Sequence, residues 1–365
     1  MVILDINEKI KLIKEVGEEI VTEDELIELI ENSQKDKKEI IAYDGFEPSG
    51  KIHIAQAILR AINVNKMTKS GIKFKMLVAD WHAWANNKMD GDLEKIKIVG
   101  EYFIEVWKAS GMDLDNVEFI WASDLVKDDN YWKTVMQVSR NATVKRVIRC
   151  CQIMGRNENE ALQASQILYP CMQAADIFYL NADICQLGLD QRKVNMLARE
   201  IAPKLGYKKP ISVSHHMLMG LKEPPKKESS AVEKVIEMKM SKSMPDSAIF
   251  MDDNEEDISR KLRKAFCPEG IIEENPVIEY FKYIIFERFD KVVIERPEKY
   301  GGNVELNSFD ELVKQFENKE IHPSDLKQCA SKYINLLIEP VRKHFKENSK
   351  AKELLEKVNQ FKITR

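Results

Sequence analysis

Apolar and polar positions follow two rhythms along this chain, and the switches between them divide it. Over the first forty residues the rhythm is helical. "TEDE" at residues 22–25 has the form of a capping box, and Leu26, Ile27, Leu29 and Ile30 follow on one face, so a helical prefix is predicted over residues 1–38. Short apolar runs and helical stretches then take turns: "IIAYDGF", a helical pattern over 53–70 closed by Gly71, "FKMLVAD", a helical pattern over 93–110 closed by Gly111, and "VEFIWAS". Strands alternating with helices and ended by glycines predict an α/β domain, a doubly wound parallel sheet of Rossmann type with right-handed crossovers, over residues 39–238. Ligands of such sheets bind at the carboxyl ends of the strands, which favours the turn after "IIAYDGF".

A helical insertion is predicted at about 125–165, after which strand candidates resume at "ADICQLGLD" and "ISVSHHMLMGL". Residues 222–239 are polar with two adjacent prolines, the composition of a mobile surface loop. A loop and linker follow over 239–257. From 258 to 365 the pattern changes to short amphipathic helices punctuated by "CPEG" and "YGG", which predicts a separate, mainly helical C-terminal domain.

Composition narrows the class. The 365 residues exceed one domain, and no run of eighteen apolar residues offers a membrane span. The start carries Asp5 and lacks a long apolar core, so neither a secretory signal nor a mitochondrial presequence is expected and the cytoplasm is the expected location. Six cysteines without C-x-x-C spacing support neither zinc nor a disulfide framework, and mostly buried reduced thiols are expected. The net charge of −4 argues against a general polyanion binder, yet it is unevenly spread. Residues 130–157 hold six basic side chains and no acidic one, and residues 327–365 hold ten against four. Either patch alone is an ordinary solvated face; two patches far apart in sequence suit a long polyanion touching both.

Two motifs carry chemistry. "EPSGKIH" places Pro48, Ser49 and Gly50 before a helix whose first amides would favour a phosphate. "KMSKSMP", residues 239–245, sets Lys239 and Lys242 around serines just after the polar loop. Each is weak alone, a turn and a solvated loop; their order and separation of about 190 residues make the pair informative. Tyr169, Gln173 and Asp176, at i, i+4 and i+7, share one helical face and would line one pocket with phenol, amide and carboxylate, although the same residues could face a polar core.

The chain resembles the class I aminoacyl-tRNA synthetases, whose signatures are H-I-G-H and K-M-S-K-S. The second is matched letter for letter; the first reads "HIAQ", with Ala55 and Gln56 in place of glycine and histidine. The similarity is greatest to tyrosyl-tRNA synthetases of archaeal and eukaryotic type, over roughly residues 38–345, through "YDGFEPSGKIH", "LVADWHAW", "LYPCMQAADIFYL", "GLDQRKVNMLARE", "RKAFCPEG", "RPEKYGG" and "HPSDLK". The resemblance implies that Tyr43 and Asp176 meet the substrate phenol and that Glu47, Tyr169, Gln173 and Gln191 complete the tyrosine site. It implies an ATP site of Gly50, His53, Gly188, Asp190, Ser241 and Lys242, with catalysis by His53, Gln56, Lys239 and Lys242. For tRNA it implies Arg149 and Arg192 at the acceptor end and Tyr300, His322 and Asp325 around the first anticodon base, read by a C-terminal anticodon-binding domain. His82 falls near the amino-acid pocket by the same resemblance and serves equally as a satisfied core histidine.

The implied reaction activates L-tyrosine with ATP and Mg²⁺, without a protein-held metal, and transfers it to tRNA(Tyr); a homodimer is expected and a membrane is not. A carboxylate is the nucleophile, ionised at neutral pH, so activation calls for alignment and charge stabilisation rather than a general base. Tryptophanyl enzymes carry K-M-S-A-S and G-x-D-Q-D forms absent here, and the small nucleotidylyl transferases lack a "KMSKS" loop at this distance. A synthetase-like protein that only binds RNA is the remaining alternative, with the altered "HIAQ" as its main support.

Overall fold

The protein is described here as a computed structural model over residues 4–154, 161–225, 238, 240 and 244–361. Strands β1 (Glu19–Val21), β2 (Ile41–Phe46), β3 (Lys73–Val78), β4 (Val117–Trp121), β5 (Ile184–Cys185) and β6 (Ile211–Ser214) form one sheet in the order β1-β6-β5-β2-β3-β4. All neighbours are parallel except β1, which runs antiparallel to β6. Successive strand side chains point to opposite faces, and the core divides accordingly. Ala42, Phe74 and Met76 join one buried cluster with Val64, Val99 and Trp107 of the helices Arg60–Lys69 and Leu93–Ala109. Tyr43, Leu77 and Cys185 join another with residues of the helices Asp129–Arg140, Ala164–Tyr179 and Arg192–Leu205. Helices thus cover both faces, as the doubly wound prediction requires, and the strand order reverses beside β2 and β5.

The prefix differs from its prediction. Its capping box at Thr22 is present, but Gly17 ends a first helix, Ile6–Val16, and the chain then enters the sheet as β1, with the Glu18 amide donating to the Ser214 carbonyl at 2.8 Å. Three residues are too few to show a period, so this edge strand leaves no alternation to read. The C-terminal part also departs from a set of short helices. It contains the 25-residue helix Pro323–Glu347 and a hairpin of β7 (Val292–Ile294) with β8 (Val304–Leu306). Pro340 is tolerated within that helix because Leu336, whose carbonyl loses its donor, is exposed to water. Residues of this part share the core of the sheet's first face, with the Phe345 and Tyr102 rings 5.4 Å apart.

All six cysteines are free, and all but Cys267 are buried, as expected. No helix among the described residues is long and apolar enough to cross a membrane.

Candidate active site

The helix Ala164–Tyr179 presents Tyr169, Gln173 and Asp176 inward, all buried. Pro170 lies inside it and cannot donate to the Gln166 carbonyl; the Cys151 thiol reaches that oxygen instead, at 3.6 Å. Asp176 is held from two sides. The Tyr131 hydroxyl donates to its Oδ1 at 2.8 Å, and His82 Nε2 stands 2.9 Å from its Oδ2. Burial pulls the His82 imidazole down, but the Asp176 carboxylate overrides it, so its pKa lies above the ordinary 6.5. Burial keeps the hydroxyls of Tyr43, Tyr131 and Tyr169 protonated far beyond neutral pH.

The remaining sequence-predicted pocket residues join this cluster. Gln173 reaches the Tyr43 hydroxyl and donates to Gln191 Oε1 at 3.1 Å, while its own buried Oε1 has no partner among the described residues. Gln191 in turn donates to the Ile153 carbonyl at 3.4 Å. Tyr169 donates to Glu47, which also accepts from Asn86 at 3.1 and 3.2 Å, and the His82 ring packs edge-on against Tyr169. Tyr43 belongs to β2, Glu47 follows it, and His82 and Asn86 follow β3, so the cluster sits at the strands' carboxyl ends. The sequence alone does not single out Tyr131 or Asn86, and it allows His82 either a pocket or a core role. Nothing in their local pattern links them to Asp176 or Glu47.

The second region is the turn after β2. Gly50 adopts a φ of 110°, which strains any residue with a Cβ. Lys51 pairs with Asp252 at 2.5 Å, His53 bridges to Phe250, and the amides of Ile54 and Met251 donate to Ile249 and Ile52. The segment just after "KMSKS" is thereby laced to the signature turn. The helix then opens with a wide π turn, Ala55–Leu59, of the sort frequent at functional sites. The Gln56 carbonyl accepts from Trp107 Nε1 at 2.8 Å, and its buried Oε1 has no partner among the described residues. Lys239, Ser241 and Lys242 lie outside the described residues.

Between these regions runs the "GLDQ" turn. A Cβ on Gly188 would come within 2.5 Å of Met217 Sδ and 2.7 Å of Asp190 Oδ1, so this position demands glycine for close approach. Beneath the turn lies a network that sequence reasoning missed. Arg60, 2% exposed, pairs with Asp44 of β2 at 2.5 Å, donates to the Gln186 side chain, and stands 3.1 Å from His215 Nδ1. A guanidinium cannot accept, so His215 Nδ1 must. Burial, then Arg60, holds this imidazole neutral. One arginine thus ties β2, the signature helix and the ends of β5 and β6 together.

Of the sequence-predicted tRNA residues, Arg149 is exposed on the helix Val144–Cys150, and Arg192 is held by Glu19 of β1 at 2.6 Å. Tyr300 is 61% exposed in the loop between β7 and β8. Arg296 holds that loop, donating to the carbonyls of Gly302 at 2.8 Å and Glu320 at 2.6 Å, and so sets it beside the segment leading to His322. His322 caps the long helix, its Nδ1 accepting from the Ser324 amide at 3.1 Å, and Asp325 is in the first turn.

A doubly wound sheet with a buried polar cluster at its carboxyl edge, beside a turn that opens a helix, is an arrangement that class I synthetases share, and the comparisons agree. The family model "tRNA synthetases class I (W and Y)" matches residues 34–339, and the chain belongs to that family. Within it the similarity runs to tyrosine–tRNA ligases. The chain is 51% identical to cytoplasmic tyrosine–tRNA ligase 2 of Arabidopsis thaliana over 98% of its own length and 46% of that protein's. It is 49% identical to cytoplasmic tyrosine–tRNA ligase 1 of the same plant, over 99% and 90%. It thus spans about half of the first relative and nine-tenths of the second. Among solved structures, the tyrosyl-tRNA synthetase of Pyrococcus horikoshii complexed with L-tyrosine matches with a TM-score of 0.88 and 39% identity, over 97% of this chain and all of that one.

Proposed function

We propose that the chain is a tyrosine–tRNA ligase, which activates L-tyrosine with ATP to tyrosyl-adenylate and pyrophosphate and then passes tyrosine to the 3′-terminal adenosine of tRNA(Tyr). The observation that carries this reading is the buried Asp176, pinned on one oxygen by Tyr131 and flanked on the other by His82, on the helix face that also bears Tyr169 and Gln173. An anchored carboxylate with remaining lone pairs accepts a phenol hydroxyl, with Tyr43 beside it. Phenylalanine would leave these buried groups unpaired, a rule for which tyrosyl enzymes are themselves the standard case. The vacant acceptor capacity of Gln173 Oε1 suits the substrate ammonium, together with Tyr169, Glu47 and Gln191.

ATP lies along the turn at Gly50 and His53, with its ribose on Gly188 and Asp190. The tyrosine carboxylate attacks the α-phosphorus, forming the mixed anhydride as the bond to pyrophosphate breaks. His53 and Gln56 contact the phosphates, and Lys239, Ser241, Lys242 and Mg²⁺ carried by ATP offset charge on the leaving group. In the second step the ribose hydroxyl attacks the anhydride carbonyl and AMP leaves. Residues 258–365 read the anticodon, with Tyr300 and His322 stacking on its first base and Asp325 meeting the guanine edge. Arg149 and Arg192 meet the acceptor end, Arg192 after leaving Glu19. A homodimer lets one tRNA touch both basic patches, and the cytoplasm, named for both plant relatives, is the place of action.

Exchange of labelled pyrophosphate into ATP tests the reading. Exchange with tyrosine, and little with phenylalanine or tryptophan, is expected; exchange with another amino acid, or with none, overturns it.

A further inference from the structure

The helix Glu255–Lys264 buries Ile258, Lys261 and Leu262, at i, i+3 and i+4, on one face, and the middle one is a lysine where this spacing calls for an apolar side chain. A buried ammonium is costly unless its protons find partners, and this one, 3% exposed, has three. It donates to Asp253 Oδ2 at 2.5 Å and to the Ala248 carbonyl at 3.0 Å, and it lies 4.9 Å from the centre of the Phe250 ring. One side chain therefore holds both ends of the segment 248–253. From a second helix, Pro323–Glu347, Arg342 donates to the Asp253 carbonyl at 3.0 Å.

This segment is the one that lies against the signature turn. The Asp253 oxygen that accepts from Lys261 also accepts from the Phe250 amide at 2.9 Å, and Phe250 forms the bridge to His53. The amide of Ile54 donates to Ile249 at 2.9 Å and that of Met251 to Ile52 at 3.1 Å, so the turn is gripped on either side of His53. We propose that Lys261 is a positioning residue for the phosphate turn: through Asp253 and Phe250 it sets where His53 stands. None of these partners belongs to the tyrosine cluster, so the effect falls on the ATP side of the site. Arg342 supports the same segment, and the C-terminal helices thereby brace the turn. The proposal rests on the reading that the phosphates of ATP lie along that turn.

The test is pyrophosphate exchange by the full chain with ATP and tyrosine varied in turn, beside equilibrium dialysis of labelled tyrosine without ATP. Lys261→Met keeps an unbranched side chain and removes the ammonium. It should lower kcat/KM for ATP by about tenfold, the worth of one charged hydrogen bond, and leave Kd for tyrosine as in the wild type. Arg342, whose side chain is 19% exposed, can be changed with less risk to folding, and Arg342→Gln should lower kcat/KM for ATP by about threefold in the same selective way. If Lys261→Met does not fold, Arg342→Gln decides alone. A lysine that only stitches the C-terminal part to the sheet would produce no such split, so equal losses for ATP and tyrosine overturn the proposal. Exchange by the wild type whose ATP dependence the folded variants leave unaltered overturns it too, with the tyrosine reading left standing; a wild type without tyrosine-dependent exchange overturns both.

Discussion

Asp176 depends on its neighbours as much as on its own chemistry. Tyr131 donates a hydrogen bond to one of its oxygens and His82 stands against the other, so this buried carboxyl is not left without partners. Tyr131→Phe should therefore lower kcat/KM for tyrosine by about tenfold, the worth of one hydrogen bond, with KM for ATP unchanged. A parallel shift in both substrates would place Tyr131 in the scaffold instead. Gln56 can be tested in the same way, because an amide donates to a ribose or phosphate oxygen as an imidazole does, yet does not titrate near neutral pH. Gln56→Ala should reduce exchange more than Gln56→His, and His53→Ala more than either; equal rates would remove both residues from the mechanism. At this scale the sequence is legible where the chemistry is local. The i, i+4, i+7 spacing reveals Tyr169, Gln173 and Asp176, whereas Tyr131, Asn86 and the buried Arg60 acquire meaning only when distant segments meet.

At the scale of elements, the unexpected β1 brings a further contact. Glu18, just before it, accepts from His216 Nδ1 at 3.0 Å, and Glu279 of the helix Pro276–Tyr280 lies 3.1 Å from His216 Nε2. The ring also stacks on Tyr283 at 4.2 Å, so one histidine past β6 joins the N-terminal edge strand to the C-terminal part. Burial lowers the His216 pKa, but the two glutamates more than offset it and bring it to about 9. A folded value above the unfolded one, near 6.5, stabilises the protein fully below that pH, and the contribution fades as pH rises through about 9. The shift corresponds to at most about 3 kcal/mol. His216→Gln should lower stability in urea by about that much or less at pH 6 and by little near pH 10, where the wild-type imidazole has also lost its charge. A pH-independent difference would assign the whole effect to packing. The alternating runs and glycine stops made β2, β3 and β4 readable, while β1 and the hairpin, at three residues a strand, were below what periodicity can show.

For the whole molecule, the fold sets the turn after β2 against a segment far along the chain. The turn at Gly50–His53 is laced to residues 249–252, a short way past "KMSKS". The order of the two motifs was readable in the sequence. The shared core of sheet and C-terminal helices was not, because side chains such as Tyr102 and Phe345 meet across a sequence gap that no local pattern spans. The central claim is that this assembly selects tyrosine through one buried carboxylate. The most direct measurement is the ratio of kcat/KM for tyrosine to that for phenylalanine in pyrophosphate exchange, in the wild type and in Asp176→Asn. The ratio should be large in the wild type and fall by at least about tenfold in the variant, mainly through loss of tyrosine activity. A ratio that Asp176→Asn leaves unchanged would contradict it.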